Sequence, residues 1–345
     1  MCNPTAMLCV IVGAALAFSP LPGACPARIP LIIDTDCDTD DIQAIGYLLQ
    51  TSLFDIKAIT VDSNGWTSQW AGVNSVLKLT QRFGRPDIPV AYGTLNGKTN
   101  LNNVYLNSNL PTNAYKPNDF LTTVVPLPPN PRPPSWQSAA QLILAQMAAQ
   151  ERPGCMVILA LGPLTNLADA LQRDPKTFLA GINTLVFSGG NFHPYVAALE
   201  AGDAAPLAAQ SAALLAAHAA GSGYPYPSRP AGASWNVFSD PISASAIFSC
   251  AIERLVLVTH SAQDALPLAP SDIDAVPPLD CVNEQWANNT LFGSPIASGE
   301  AFSKLRWWDE SAAVVAMQIA QRGIPAPGDA LPTDVCTNWI QVPYR

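Results

Sequence analysis

Basic residues are scarce in this chain. Only 17 of its 345 residues are lysine or arginine, against 26 aspartates and glutamates, and the formal net charge at pH 7 is -9. No basic cluster is present to neutralise phosphates, which argues against a nucleic-acid-binding surface. Histidine is scarcer still, with three: His193, His218 and His260. The eight cysteines form no CxxC and no zinc-like pairing, which argues against a zinc site. The apolar run Ala6 to Phe18 (AMLCVIVGAALAF) falls short of a membrane span. Charged residues make up only 12% of the chain and hydrophobic ones 49%, too apolar a balance for disorder.

That N-terminal run has the length of a signal-peptide core, and the helix breakers Pro20 and Pro22 follow it. Small-residue cleavage sites stand at Ala15–Ala17 and near Ala24. The preceding MCNPTA lacks the usual positive charge, and a buried N-terminal segment is the other reading. We expect residues 1–27 to be a secretory signal and 28–345 to be one domain of an extracellular protein. An oxidising compartment permits a disulfide, with Cys250–Cys281 or a pairing of Cys336 open to it; buried free thiols are the alternative.

Short apolar runs alternate with longer helix-like stretches, the pattern of an α/β protein with a largely parallel sheet. Strands are expected at Ile29–Asp34, Asp55–Val61, Ile88–Gly93, Met156–Leu161, Thr184–Phe187 and within ERLVLVTH. Helices are expected at Asp41–Gln50, Trp70–Phe83, from a cap at Ser135 to Gln150, at Leu164–Arg173, in DPISASAIF and at Asp309–Ala320. Leu101–Pro134 is polar and proline-rich and reads as a surface excursion. An Ala/Pro-rich stretch near 197–233 reads as an insertion.

Chemistry concentrates at one place. LIIDTDCDTDD, from Leu31, puts five aspartates into eight residues directly behind an apolar strand. Carboxylates so close must spread into solvent, share protons or surround a cation. Ligands of parallel α/β sheets bind beyond the carboxyl ends of the strands, which is where this cluster falls. Oxygen donors without a His/Cys cluster favour calcium or magnesium. An EF-hand is excluded, because Thr39 stands where glycine is needed and Ile45 where glutamate is needed. A phosphatase DxDxT motif fits poorly, with Asp38 in the threonine position.

DTDCDTDDIQAIGYLL resembles the N-terminal signature of the inosine–uridine-preferring nucleoside hydrolases, in the form of the secreted plant-type branch. AITVDSNGWT, IPVAYG, LGPLTNLADAL, VFSGG, WNVFSDP and WWDESAAVVA follow in that family's order. The resemblance implies a single-domain, Rossmann-like open sheet flanked by helices. It implies calcium-dependent hydrolysis of the N-glycosidic bond of ribonucleosides to base and ribose. Asp36 then matches the aspartate that ligates calcium and takes a proton from the attacking water. Asp41, Asp309 and the backbone carbonyl of Leu161 match the other calcium ligands. Asp40, Asn64 and Asn236 match residues that hold the ribose, and Asp34 one that orients the loop. The implied partner is a small-molecule ribonucleoside, with no nucleic acid and no membrane span, and a homo-oligomer is allowed.

Departures from the family pattern support a second reading, a catalytically impaired member that binds calcium and nucleosides. Ser234 stands in place of a ribose-binding glutamate. Trp308 replaces the histidine that in many members protonates the leaving base; Trp307 and Trp308 can stack on a base or fill the core. Asn191 is a substitute for a ribose-binding asparagine, and Cys37 replaces a proline with little expected effect on the loop. His193 reads as a loop residue within reach of a base, His218 as a surface residue and His260 as a packing residue. Asn166 is expected to cap the helix after GPLT.

Overall fold

The computed structural model describes residues 9–11, 28–63, 65, 69–94, 133–190, 234–252, 254–263, 266 and 306–322. Its strands are β1 (Cys9–Ile11), β2 (Ile29–Thr35), β3 (Phe54–Val61), β4 (Val90–Tyr92), β5 (Met156–Ala160), β6 (Ile182–Ser188) and β7 (Arg254–Val258). They form one sheet in the order β1-β7-β6-β5-β2-β3-β4. Strands β2 to β7 run parallel, and β1 pairs antiparallel with β7 at the edge. The β1 residues lie within the stretch read as a signal, so its removal would leave the six parallel strands intact.

The helices explain why the strands read as unbroken apolar runs. A parallel sheet is covered on both faces, so its central strands are apolar on both faces. In β2, Leu31 and Ile33 face one core cluster and Ile32 faces the other, all fully buried. Truncating any one to alanine would cost about 2–5 kcal/mol. The first cluster is closed by α1 (Thr39–Gln50), α2 (Gln69–Arg82) and a C-terminal helix, Asp309–Arg322. The second is closed by α3 (Ala139–Ala148), α4 (Thr165–Arg173), α5 (Pro175–Gly181) and α7 (Pro241–Phe248). Two short helices, α6 (Trp235–Ser239) and α8 (His260–Gln263), flank the sheet's C-terminal edge, and the C-terminal helix is α9.

Local chemistry shifts some boundaries. The cap of α3 is Ser138, not Ser135. The Ser138 hydroxyl accepts from the Gln141 amide at 3.3 Å, and the Gln141 side chain accepts from the Ser138 amide at 3.0 Å. This reciprocal pair needs glutamine three residues after the serine, a spacing that Ser138 has. Helix α5 was not foreseen. Asp174 caps it ahead of Pro175, accepting from the Thr177 amide at 3.0 Å, and Asp240 caps α7 ahead of Pro241 in the same way. The stretches at 101–132 and 197–233 lie outside the described residues.

The strand order positions the site. From β2 the chain winds one way through β3 and β4, and the other way through β5, β6 and β7. The crevice between the carboxyl ends of β2 and β5 is therefore the topological switch point, where such sheets bind ligands. Main-chain bonds extend beyond the strands here. The Leu161 amide donates to the Asp34 carbonyl at 2.8 Å, and the Asp62 amide to the Thr35 carbonyl at 2.7 Å.

Candidate functional site

The aspartate cluster spans the end of β2 and the first turn of α1. Asp40 and Asp41 occupy that first turn, where unpaired amides and the helix dipole favour negative charge. One Asp41 oxygen accepts from the Thr35 hydroxyl and from the Asp36 amide, the latter at 3.2 Å. The other accepts from the Asp38 amide at 3.2 Å. The Asp38 carbonyl closes the first helical turn with the Ile42 amide at 3.1 Å. Asp41 therefore fixes the loop and the helix entry together.

Asp34 lies beneath the loop, fully buried. Its Oδ1 accepts from the Thr60 hydroxyl at 2.5 Å and from the Asn166 amide at 2.8 Å. Burial raises its pKa to about 7, against the lowering effect of those two donors. Asn166 was expected to cap α4. The cap position is Leu164, with no side-chain bond, and Asn166 spends its amide on Asp34 instead.

Across the crevice, α9 brings Asp309 to the same point. Ligand oxygens of Asp40, Asp41 and Asp309 all lie within 4.8 Å of one another. Burial pushes Asp309 well above the usual carboxylate range, and the Asp41 and Asp40 charges add to it. Asp40 is raised in the same direction by desolvation, then by Asp38, Asp41 and Glu310. Glu310, the next residue on α9, is raised to about 8 by burial and then by Asp41 and Asp38, and its Oε2 is enclosed without a hydrogen-bond partner among the described residues. Carboxylates held this close and largely buried suit a hard cation, and this group could hold a metal ion.

Asp36, the expected base and ligand, lies outside this three-carboxylate group. It is buried and raised by burial, then by Asp41, Asp38, Asp40 and Asp62. Two glycines make room for it. A side chain on Gly65 would collide with its carboxylate, and a Cβ on Gly162 would come within 2.7 Å of its amide nitrogen. Gly162 of GPLTN therefore allows β5 to approach the aspartate loop. Cys37 follows with φ of 61°, which proline cannot adopt. The cysteine thus accompanies a loop path unlike the proline form, where little difference had been expected.

The Leu161 carbonyl, expected to face the cation, accepts from the Asn236 amide, which also donates to the Ser188 carbonyl at 2.9 Å. Asn236 thereby joins the ends of β5 and β6, a main-chain role beyond the ribose contact expected of it. Ser234 is buried beside Gly189, and its hydroxyl has no hydrogen-bond partner among the described residues. Trp308 is half-buried, and its carbonyl accepts from Gln263 at 3.0 Å and from the Ser311 hydroxyl at 2.6 Å. His260 opens α8, its amide donating to the Gly190 carbonyl at 3.0 Å. Asn64, Asn191, His193 and His218 lie outside the described residues. Cys250 is a free thiol, which removes the Cys250–Cys281 pairing; Cys37 is also free, whereas Cys155 is disulfide-bonded.

Thr35, Thr60, Ser188 and Gln263 support the site and were missed. The two threonines lie inside DTDCDTDD and AITVDSNGWT, and Ser188 inside VFSGG, so the signal was present. Gln263 is a single glutamine with no pattern around it, and only the fold brings it to Ser188.

Comparison with known proteins agrees with this arrangement. The chain is 37% identical over 167 residues to uridine nucleosidase 1 of Arabidopsis thaliana, covering 47% of this chain and 45% of that one. It is 31% identical over 242 residues to probable uridine nucleosidase 2 of the same plant, covering 68% and 61%. The chain thus spans about half to three-fifths of the length of these relatives. In fold it resembles a plant nucleoside hydrolase, with a TM-score of 0.61 at 22% identity over 84% of this chain and 79% of that one. It also resembles an inosine-uridine preferring nucleoside hydrolase of Bacillus anthracis, with a TM-score of 0.55 at 19% identity over 84% and 82%. The model of the family described as inosine-uridine preferring nucleoside hydrolase matches residues 31–327, from the aspartate strand to beyond α9. With its carboxylates gathered at the switch point of this sheet, the chain belongs to the inosine-uridine preferring nucleoside hydrolase family.

Proposed function

We propose that this chain is a secreted, calcium-dependent hydrolase that cleaves the N-glycosidic bond of ribonucleosides to free base and ribose. The observation that carries the reading is the convergence of Asp40, Asp41 and Asp309 at the switch point of a nucleoside hydrolase family member. These three carboxylates, with the Leu161 carbonyl and Asp36, would hold the cation. When bound, the cation supplies positive charge that eases deprotonation of a water and holds ribose hydroxyls.

Asp36 accepts the proton of the attacking water. Its carboxylate is buried at the end of the aspartate strand, beside the cation-holding group, within reach of a water held there. As the C1'–N bond breaks, positive charge develops on the sugar, and the surrounding carboxylates stabilise it. Asp40, Asn64 and Asn236 hold the ribose so that water and C1' meet in one geometry. The indole of Trp308 can stack on the base. Because the relatives are named uridine nucleosidases, uridine is the first substrate to test. The disulfide-bonded Cys155 supports an oxidising compartment and hence secretion.

The test is ribose release from uridine, inosine and adenosine, with calcium and with excess chelator, by wild type and Asp36→Asn. Calcium-dependent release that the variant loses by at least a hundredfold supports the reading. Release at near wild-type rate by the variant sinks the mechanism.

The hydroxyl of Ser234, without a partner among the described residues and short and neutral where the family has a glutamate, favours a second reading: a binding protein that takes calcium and nucleoside without turnover.

A further inference from the structure

Gln263 is buried in the last turn of α8, far in sequence from the carboxylates. Both protons of its side-chain amide are committed. One points to the Ser188 hydroxyl oxygen and the other to the Trp308 carbonyl, each at 3.0 Å. A serine hydroxyl carries a single proton. Since the Ser188 oxygen accepts from Gln263, its proton is left to donate elsewhere, and Asp309 accepts a hydrogen bond from the Ser188 side chain. The Trp308 carbonyl belongs to the peptide directly before Asp309, and Ser311 holds it from the other side.

Gln263 therefore grips Asp309 at two points, at its carboxylate through Ser188 and at its backbone entry through Trp308. We infer that Gln263 is a positioning residue for the cation, acting through Ser188 to set the Asp309 carboxylate as an acceptor turned toward Asp40 and Asp41. The inference rests on the reading that Asp309 is a cation ligand. Groups that orient metal ligands from behind typically contribute tenfold to hundredfold in affinity. A glutamine suits the task because its NH2 donates twice and cannot ionise.

The test is calcium affinity by calorimetry, with no nucleoside present, on wild type, Gln263→Met, Ser188→Ala and the double variant. Melting in excess chelator is recorded for each. Gln263→Met keeps the side-chain length and removes both donors. The expected result is a loss of affinity of about tenfold to hundredfold for Gln263→Met. The double variant should then bind no more weakly than Gln263→Met, because the Ser188 change lies on a path that Gln263→Met has already cut. A Gln263→Met chain that melts lower in chelator yet binds calcium within twofold of wild type overturns the inference, as do effects that multiply in the double variant. If Gln263→Met does not fold, Ser188→Ala alone tests the last link, and unchanged affinity there overturns it. A wild-type chain that takes up no calcium overturns the calcium reading, and this inference with it.

Discussion

Asn166 and Asp34 are 132 positions apart in sequence and joined at 2.8 Å, the amide of one donating to the carboxylate of the other. The contact ties the first turn of α4 to the strand end that carries the aspartate loop. Asp34 is fully buried, so the loss of a donor cannot be repaired by bulk water. Asn166→Leu should destabilise the fold by roughly 1–3 kcal/mol, read from urea unfolding. An unchanged midpoint would show that the contact carries no stability.

The parts of this fold that sequence revealed are those with a local cause. The apolar runs of β2, β5 and β6 are unbroken because helices cover both faces, and the aspartates stand at a strand end because that is where the crevice opens. Contacts between distant elements were not legible. Nothing near Asn166 indicates that it faces Asp34, and nothing near Gln263 indicates Ser188. The cap at Ser138 is legible from its spacing to Gln141, a spacing that Ser135, the first serine after the prolines, lacks. The gathering of Asp40 with Asp41 and Asp309 depends on how α9 packs against α1, which is a tertiary fact.

The carboxylates also set a pH dependence. Asp34 is raised from 3.8 to about 7, and Glu310 from 4.5 to about 8. Between those values the unfolded chain has released its protons while the folded chain still holds them. The folded state then binds more protons, so stability falls as pH rises through this window and levels off above it. In excess chelator, unfolding midpoints should fall from pH 4 to pH 8. Calcium requires ionised carboxylates, so the stabilisation it adds should grow over the same range. Midpoints that climb with pH in chelator would contradict the protonated state of these groups.

Cys37 offers a conformational test. Its φ of 61° lies in the left-handed region, and its amide donates to the Thr35 hydroxyl at 3.0 Å. Proline can supply neither that dihedral nor that donor. Cys37→Pro should cost roughly 2–4 kcal/mol in unfolding free energy, combining backbone strain with a lost buried bond. Cys37→Gly relieves the dihedral but removes a fully buried thiol, so the two effects should nearly cancel. Equal stability of the proline and glycine variants would mean that the loop readily takes the other path.

Ser234 is where the two proposed readings, turnover and binding without turnover, can be told apart. It sits in the crevice wall beside Gly189, with its hydroxyl enclosed and without a partner among the described residues. On the proposed reaction, a glutamate here would bring a carboxylate toward the sugar, where positive charge would develop as the bond breaks. If the missing carboxylate limits the reaction, Ser234→Glu should raise kcat for uridine about tenfold or more, since one well-placed charge contributes at least ~1.4 kcal/mol to the transition state. The wall is tight, however, because a Cβ on Gly189 would already approach the serine oxygen to 3.0 Å. The gain should therefore come with some loss of thermal stability, about 1–3 kcal/mol for an overpacked site. Activity that stays flat while the variant folds and binds nucleoside would clear Ser234 of blame. The limit on turnover would then pass to Trp308, which cannot donate a proton to the leaving base.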